Sequence, residues 1–254
     1  MRRDYRAVAI EPAHPKPPGR NMYRQHQDSK TSAAIPLYLS DTYWWAYIHP
    51  NAVSIFERQW LVNLILWGNF ARLRDAALAE LGREIPGHTL QVACVYGDFS
   101  AHLAKRIAPG GTLDIVDVLP IQLANLRRKL PLDVPVTTYQ RDSTALGFAD
   151  GSYDQVVVFF LLHEQPADAR RETLREAIRV TKPGGSVVIV DYHGPHVLHP
   201  LRYVFQPVLR ILEPFAIDLW RHHISEWLPA EIKPARLRKE TFFGGLYQKV
   251  VITV

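Results

Sequence analysis

Thr89-Leu90-Gln91-Val92-Ala93-Cys94-Val95 runs directly into Tyr96-Gly97-Asp98-Phe99 and a helical period beyond. An apolar run of strand length that ends in a glycine turn and opens a helix is the first half of a βαβ unit. Outward from it the alternation repeats. Ala101–Ile107 reads as helix, Leu113–Val118 as strand, Ile121–Leu130 as helix and Val134–Gln140 as strand. Val156–Leu162 is apolar throughout, as expected of a strand covered on both faces. Ala167–Val180 predicts a helix ended by Pro183-Gly184-Gly185, and Ser186–Asp191 another buried strand. Thr241–Phe243 and Tyr247–Thr253 predict a closing hairpin around Gly244-Gly245. The expected fold is α/β: a mostly parallel, doubly wound sheet with a C-terminal antiparallel hairpin.

Three further segments frame this region. Residues 36–86 form a predicted N-terminal helical region. Val53, Phe56, Trp60, Leu64, Trp67 and Ala71 recur at three or four residues, continuing to Leu81 with a break near Gly68. Before them, Tyr43, Trp44, Trp45, Tyr47 and His49 either line a pocket or pack as core. Residues 194–235 fit no βα unit. Leu201, Val204, Phe205, Val208, Leu212, Phe215 and Leu219 fall at helical spacing, with Pro207 and Pro214 expected to bend or split the helix. Such an insert in the sheet domain, residues 87–254, is a natural lid over the strand ends. Residues 1–35 hold Pro12, Pro15, Pro17 and Pro18 among charged residues and read as a disordered basic arm.

Composition narrows the function classes. The chain has 254 residues, 47% hydrophobic and 22% charged, enough to bury a core unaided. Cys94 is the single cysteine, which excludes an intrachain disulfide and a four-cysteine zinc site. No apolar run approaches the ~20 residues of a membrane span. The net charge of +5 invites a nucleic-acid reading. Seven Arg and Lys against three acids within residues 1–30 account for most of it, so no basic groove is expected and no nucleic-acid partner.

In open α/β sheets ligands bind at the carboxyl ends of the strands. Asp117 ends the second strand and Asp142 follows the third. Gly147-Phe148-Ala149-Asp150-Gly151-Ser152-Tyr153-Asp154 and Thr181-Lys182-Pro183-Gly184-Gly185 follow in order. Together these resemble the class I S-adenosylmethionine-dependent methyltransferases, whose Rossmann-like fold the chain is expected to share. The resemblance implies that Asp117, with Val118, holds the ribose, and Asp142-Ser143 the adenine. It also places Gln91, Ala93, Val95, Tyr96, Gly97 and Asp98 in the loop facing the methionine part. This loop departs from the family pattern. Gln91 stands at its acid, and Ala93 and Val95 at two of its glycines, which is expected to move or re-aim the methionine part. Asp98 either meets the cofactor's amine or caps the next helix.

Val95-Tyr96-Gly97-Asp98-Phe99-Ser100, Phe159-Phe160-Leu161-Leu162-His163-Glu164-Gln165-Pro166, Val190-Asp191-Tyr192-His193 and Thr241–Lys249 look like the rhodoquinone biosynthesis methyltransferase-like family. That resemblance implies amino transfer rather than methyl transfer. A ring methoxy group of ubiquinone is replaced by an amino group, with S-adenosylmethionine as amino donor and manganese (Mn2+) required. Tyr96, His163 and His193 are the expected catalytic residues. A subset of His163, Glu164, Asp191 and His193 is expected to bind the metal, the alternative being strand-end capping and hydrogen bonding. Conventional methylation of a quinone or related lipid is the enzymatic rival, and a quinone- or cofactor-binding accessory protein the non-catalytic one. A ubiquinone substrate implies peripheral contact with a membrane surface. The expected location is the cytoplasmic face of the inner membrane, or the mitochondrial one in a eukaryote.

Overall fold

The structure is a computed structural model that describes residues 24–25, 34–43, 56–94, 96–131, 133–232 and 234–254. Trp44, Trp45, Tyr47, His49 and Val95 lie outside the described residues, as does almost all of the arm.

Eight strands form one sheet: β1 (Arg24–Gln25), β2 (His88–Val92), β3 (Thr112–Asp117), β4 (Val136–Gln140), β5 (Tyr153–Phe159), β6 (Thr181–Tyr192), β7 (Arg236–Phe242) and β8 (Tyr247–Thr253). Their order is β1-β4-β3-β2-β5-β6-β8-β7. All pairings from β1 to β6 are parallel. β8 runs antiparallel to both β6 and β7, which makes the expected C-terminal hairpin. This is the Rossmann-like methyltransferase architecture the sequence predicts.

The period of two along the central strand builds two cores. Val157 and Phe159 of β5 face one layer, and Val156 and Val158 the other. The first layer is closed by α3 (Phe70–Leu81), α4 (Phe99–Ala104) and α5 (Pro120–Lys129). The second is closed by α6 (Ala167–Arg179), whose Leu174, Ala177 and Ile178 recur at helical spacing. Two short helices precede α3: α1 (Leu37–Thr42) and α2 (Gln59–Ile65). The break between α2 and α3 falls where expected, with Trp67 at φ 51° and Gly68 at φ 75°.

Several boundaries differ from expectation. β2 stops at Val92, because Ala93 turns into the left-handed region at φ 65°. β5 stops at Phe159: Phe160 sits at φ 52° and Leu162–Glu164 close a single 3-10 turn. The lid segment forms α7 (Leu201–Leu212) and α8 (Ala216–Arg221). Pro214 lies in the gap that splits them, whereas Pro207 is accommodated inside α7.

β2 lies between β3 and β5, so the chain order reverses there and the strand ends diverge into a crevice. The first βα turn leaves β2 at its mouth. Gly97 has φ 89°, and a Cβ there would come within 2.7 Å of the Phe70 ring, so this position requires glycine.

Candidate functional site

The crevice at the carboxyl ends of β2, β3, β5 and β6 is a cleft enclosing about 1230 Å³ of empty space, open mouth included. Ala93, Tyr96, Asp117, Val118, Asp142, Ser143, His163 and Glu164 all line it, eight of the residues selected from sequence.

At one end stand two acids. Asp117 accepts backbone N–H bonds from Cys94 at 2.9 Å and Leu119 at 2.8 Å. Burial raises its pKa, and these bonds work against that. The Cys94 thiol also donates to Oδ2 at 3.2 Å, so the lone pair left for a ribose hydroxyl is on Oδ1. Burial, with Asp117 alongside, pushes the Cys94 thiol well up, so it is a packed thiol rather than a nucleophile. Asp142 accepts from the Thr144 backbone N–H and hydroxyl, both at 2.8 Å. Ser143 is fixed by Thr173 and by the Gln165 amide, which donates to it at 2.9 Å. Arg141 lies 4.3 Å over the Phe148 ring beside these acids. The Tyr96 hydroxyl accepts from Gln122 at 3.0 Å, and its ring stacks on Phe56.

At the other end lies a buried charged cluster. His163 Nδ1 is 2.9 Å from Asp191 Oδ1, and both side chains are buried. Burial disfavours the imidazolium, but the Asp191 carboxylate outweighs it and the pKa rises to about 9. The Leu162 and Tyr192 backbone N–H groups donate to Asp191 at 2.8 and 2.7 Å, so this carboxylate is held rigidly. Glu164 Oε1 lies 3.7 Å from His163 Nε2. Glu213, in the gap between α7 and α8, also lines the cleft. Burial raises its pKa, while His163 and Tyr43 favour its carboxylate. Its Oε2 is buried without a hydrogen-bond partner. Arg170 fixes the turn carrying His163. It donates to the carbonyls of Leu162 at 3.0 Å, Gln165 at 2.9 Å and Phe215 at 3.0 Å, tying the turn to the lid.

Four selected residues stand elsewhere. Gln91 is fully buried behind the loop, where its amide donates to Ala93 O at 2.9 Å and Ser100 Oγ at 2.8 Å. Asp98 neither caps α4 nor enters the cleft: it pairs with Arg74 at 2.9 Å. His193 is turned out of the cleft, with Nδ1 on Gly245 O at 2.7 Å and Nε2 on Lys239 Nζ at 2.8 Å. Asp191 supports His163 from behind rather than lining the cleft. The expected metal set therefore does not assemble. Among the described residues no three His, Cys, Asp or Glu come together to hold a metal ion. The described donors do not fit manganese.

Sequence reasoning missed Glu213, Tyr38 and Gln122 as cleft residues. Only Glu213 carried a signal, as an acid in an apolar stretch directly before the expected break at Pro214.

A methyltransferase-domain family model matches residues 89–185. A demethylmenaquinone methyltransferase of Beutenbergia cavernae is 30% identical over 209 residues, covering 76% of this chain and 81% of that protein. The chain belongs to the class I S-adenosylmethionine-dependent methyltransferase family. A ubiquinone/menaquinone biosynthesis C-methyltransferase of Ectopseudomonas mendocina is 29% identical over 147 residues, 56% of each chain. The chain thus spans about half the length of that relative. Among solved structures, a putative O-methyltransferase from Nostoc punctiforme matches with a TM-score of 0.60 at 15% identity, covering 85% of this chain and 64% of that one.

In a class I methyltransferase of this geometry, Asp117 and Asp142 with Ser143 are the groups that would hold the adenosine part of S-adenosylmethionine. They line the same end of the cleft and have acceptor capacity left. Ala93 keeps the left-handed backbone that a glycine would supply, so the turn retains its path despite the substitution. The cofactor supplies an activated methionine derivative bearing a sulfonium and an α-amine. The chain's own contribution is to orient it and to place His163, Glu164 and Glu213 across from it.

Proposed function

We propose that this chain transfers the amino group of S-adenosylmethionine to the ring of ubiquinone in rhodoquinone biosynthesis: the amine nitrogen bonds to the ring carbon as the methoxy group leaves as methanol, the quinone ring takes two electrons from the donor's Cα–H, and hydrolysis of the resulting imine frees the aminohydroquinone and an α-keto acid. The observation that carries the reading is Gln91. Where the family places an acid, a neutral amide is buried inside the turn and bonded to Ala93 and Ser100. No carboxylate at that position favours the charged ammonium form, so a neutral, nucleophilic amine is less strongly opposed. Quinone substrates are supported by the relatives, a ubiquinone/menaquinone biosynthesis C-methyltransferase and a demethylmenaquinone methyltransferase. The aromatic lining of Tyr38, Phe160 and Tyr192 suits a flat conjugated ring. His163, cationic at neutral pH, is suited to polarise a ring carbonyl, which makes the methoxy-bearing carbon more electrophilic. Manganese, implied by the family resemblance, is left out of this account because its expected ligands do not assemble.

The same relatives favour a second reading, methylation of a quinone-ring carbon. One experiment separates the two. The protein is incubated with ubiquinone and with S-adenosylmethionine labelled either at the α-nitrogen or at the methyl carbon. Nitrogen label in the recovered quinone is expected. Methyl label alone would replace the proposal by methylation, and neither label with cofactor still bound would support the accessory-protein reading.

A further inference from the structure

Helix α7 is apolar on two faces. Phe205 and Leu209 are buried against the core, yet Tyr203, Val204, Val208, Ile211 and Leu212 are exposed, Ile211 by 79%. α2 repeats the pattern: Val62 is buried, while Trp60 and Leu64 are 61% and 62% exposed. A helix with an ordinary watered outer face carries polar residues there. Instead most outer positions of both helices are leucine, isoleucine, valine and aromatic, with Gln59, Asn63 and Arg210 the polar exceptions. The two are joined at the surface, since the Trp67 ring lies 5.3 Å from Phe205. Leu198, just before α7, is 83% exposed.

Three observations say what covers this face. It borders the cleft: Ile65 is both exposed and cleft-lining, and Glu213 directly follows α7. Neither helix contains Asp or Glu; of the flanking acids, Glu57 is paired with Lys129 and Glu213 faces the cleft, while Arg58 and Arg210 are exposed, a charge bias matching an anionic surface. Among the described residues no helix is long and apolar enough to cross a membrane, so the contact is with the surface of a bilayer. We infer that α2, the Trp67 turn, Leu198 and α7 form one docking face that seats on the interface of an anionic bilayer. The cleft mouth then opens against the lipid, and an isoprenoid quinone enters without crossing water. The inference rests on the proposed quinone substrate and names the partner that delivers it.

The test uses the full chain and vesicles of phosphatidylcholine with or without phosphatidylglycerol. The wild type is expected to float with the vesicles, more strongly with the anionic lipid. The variant Trp60→Gln/Leu64→Gln/Val208→Gln/Ile211→Gln is expected to lose partitioning by about tenfold or more. It should keep its circular dichroism and its affinity for S-adenosylhomocysteine. Turnover of a short-chain, water-soluble quinone should persist while turnover of vesicle-borne quinone falls. Undiminished flotation of the variant overturns the inference. So does a wild type that does not float, or that light scattering shows to be a dimer dispersed by the same substitutions. A wild type that floats but labels no quinone refutes the proposed function and leaves the docking face standing.

Discussion

Replacing Asp191 by asparagine should remove a pH dependence of stability that His163 gives the native fold. The His163 pKa stands at about 9 in the folded chain against an ordinary 6.5. That difference is worth roughly 3 kcal/mol at 1.36 kcal/mol per unit. Because the folded value is raised, the contribution is fully present below 6.5 and is lost as pH rises through about 9. Asp191 supplies it through the 2.9 Å pair. Its oxygens also accept the backbone N–H groups of Leu162, His163 and Tyr192. An asparagine amide would point two hydrogens at one of these donor sets. A cost of about 3–5 kcal/mol near neutral pH is therefore expected, the range for breaking a buried pair from one side. Urea unfolding across the pH range, on the wild type, Asp191→Asn and His163→Gln, measures both effects. The wild type should lose stability on going alkaline, and both variants should flatten in that window. Glu213, raised by burial, contributes stability that is likewise lost as pH rises, and because His163 and Asp191 both act on it the three proteins are compared in a Glu213→Gln background. A slope in His163→Gln equal to that of the wild type would refute the assignment of the titration to this pair.

Three other outcomes follow from single contacts. Ala93→Gly should stabilise the fold by about 1 kcal/mol, because Ala93 sits at φ 65° where a Cβ is strained, and thermal unfolding measures it. Asp117→Asn should weaken S-adenosylhomocysteine binding about tenfold to a hundredfold by calorimetry, because an amide cannot accept a ribose hydroxyl as well as the Cys94 and Leu119 N–H groups. Arg170→Met should cost about 1–3 kcal/mol and impair turnover, since it takes the donor from Gln165 O and leaves Leu162 O and Phe215 O with only the 3.3 Å N–H bonds of Gln165 and Asp218, and intact turnover would show that the turn and lid are held by other contacts.

The sheet was legible because its strands carry long apolar runs bounded by glycine and proline, a pattern that tertiary context rarely overrides. Val156-Val157-Val158 could be nothing but a central strand, and its two faces became the two cores. Strand ends were less legible. β2 and β5 each stop three residues early because Ala93 and Phe160 adopt positive φ, a conformation their side chains give no hint of. The adenosine end of the site was legible from position along the fold, since Asp117 and Asp142 must fall at strand ends. The opposite end was legible only in part. His163 and Glu164 do line the cleft, but His193 sits two residues beyond Asp191 and its ring leaves for Gly245 and Lys239. β6 ends at Tyr192, so His193 lies past the strand and the period of two no longer sets the side its ring takes. Glu213 arrives from a lid some twenty residues farther along the chain, and no local pattern ties it to His163.

The altered turn shows where the departure from the methyltransferase pattern has physical consequences. Losing glycine at 93 did not change the backbone, since the residue still lies at φ 65°. Gly97 remains, and its close approach to Phe70 forbids a side chain. The path of the turn is therefore conserved by geometry, and what differs is charge. A neutral amide replaces an acid at Gln91: its NH2 donates to Ala93 O and Ser100 Oγ, while among the described residues its buried Oε1 has no hydrogen-bond partner. Negative charge is instead gathered across the cleft, on Asp191, Glu164 and Glu213 around the His163 imidazolium. A cationic cofactor entering such a cleft is drawn from the lid side rather than from the turn. Three carboxylates face one imidazolium there, and the low dielectric of a buried site magnifies the imbalance. Under the proposed amino transfer, moving that attraction across the cleft would let the chain present a different atom of the same cofactor to its substrate.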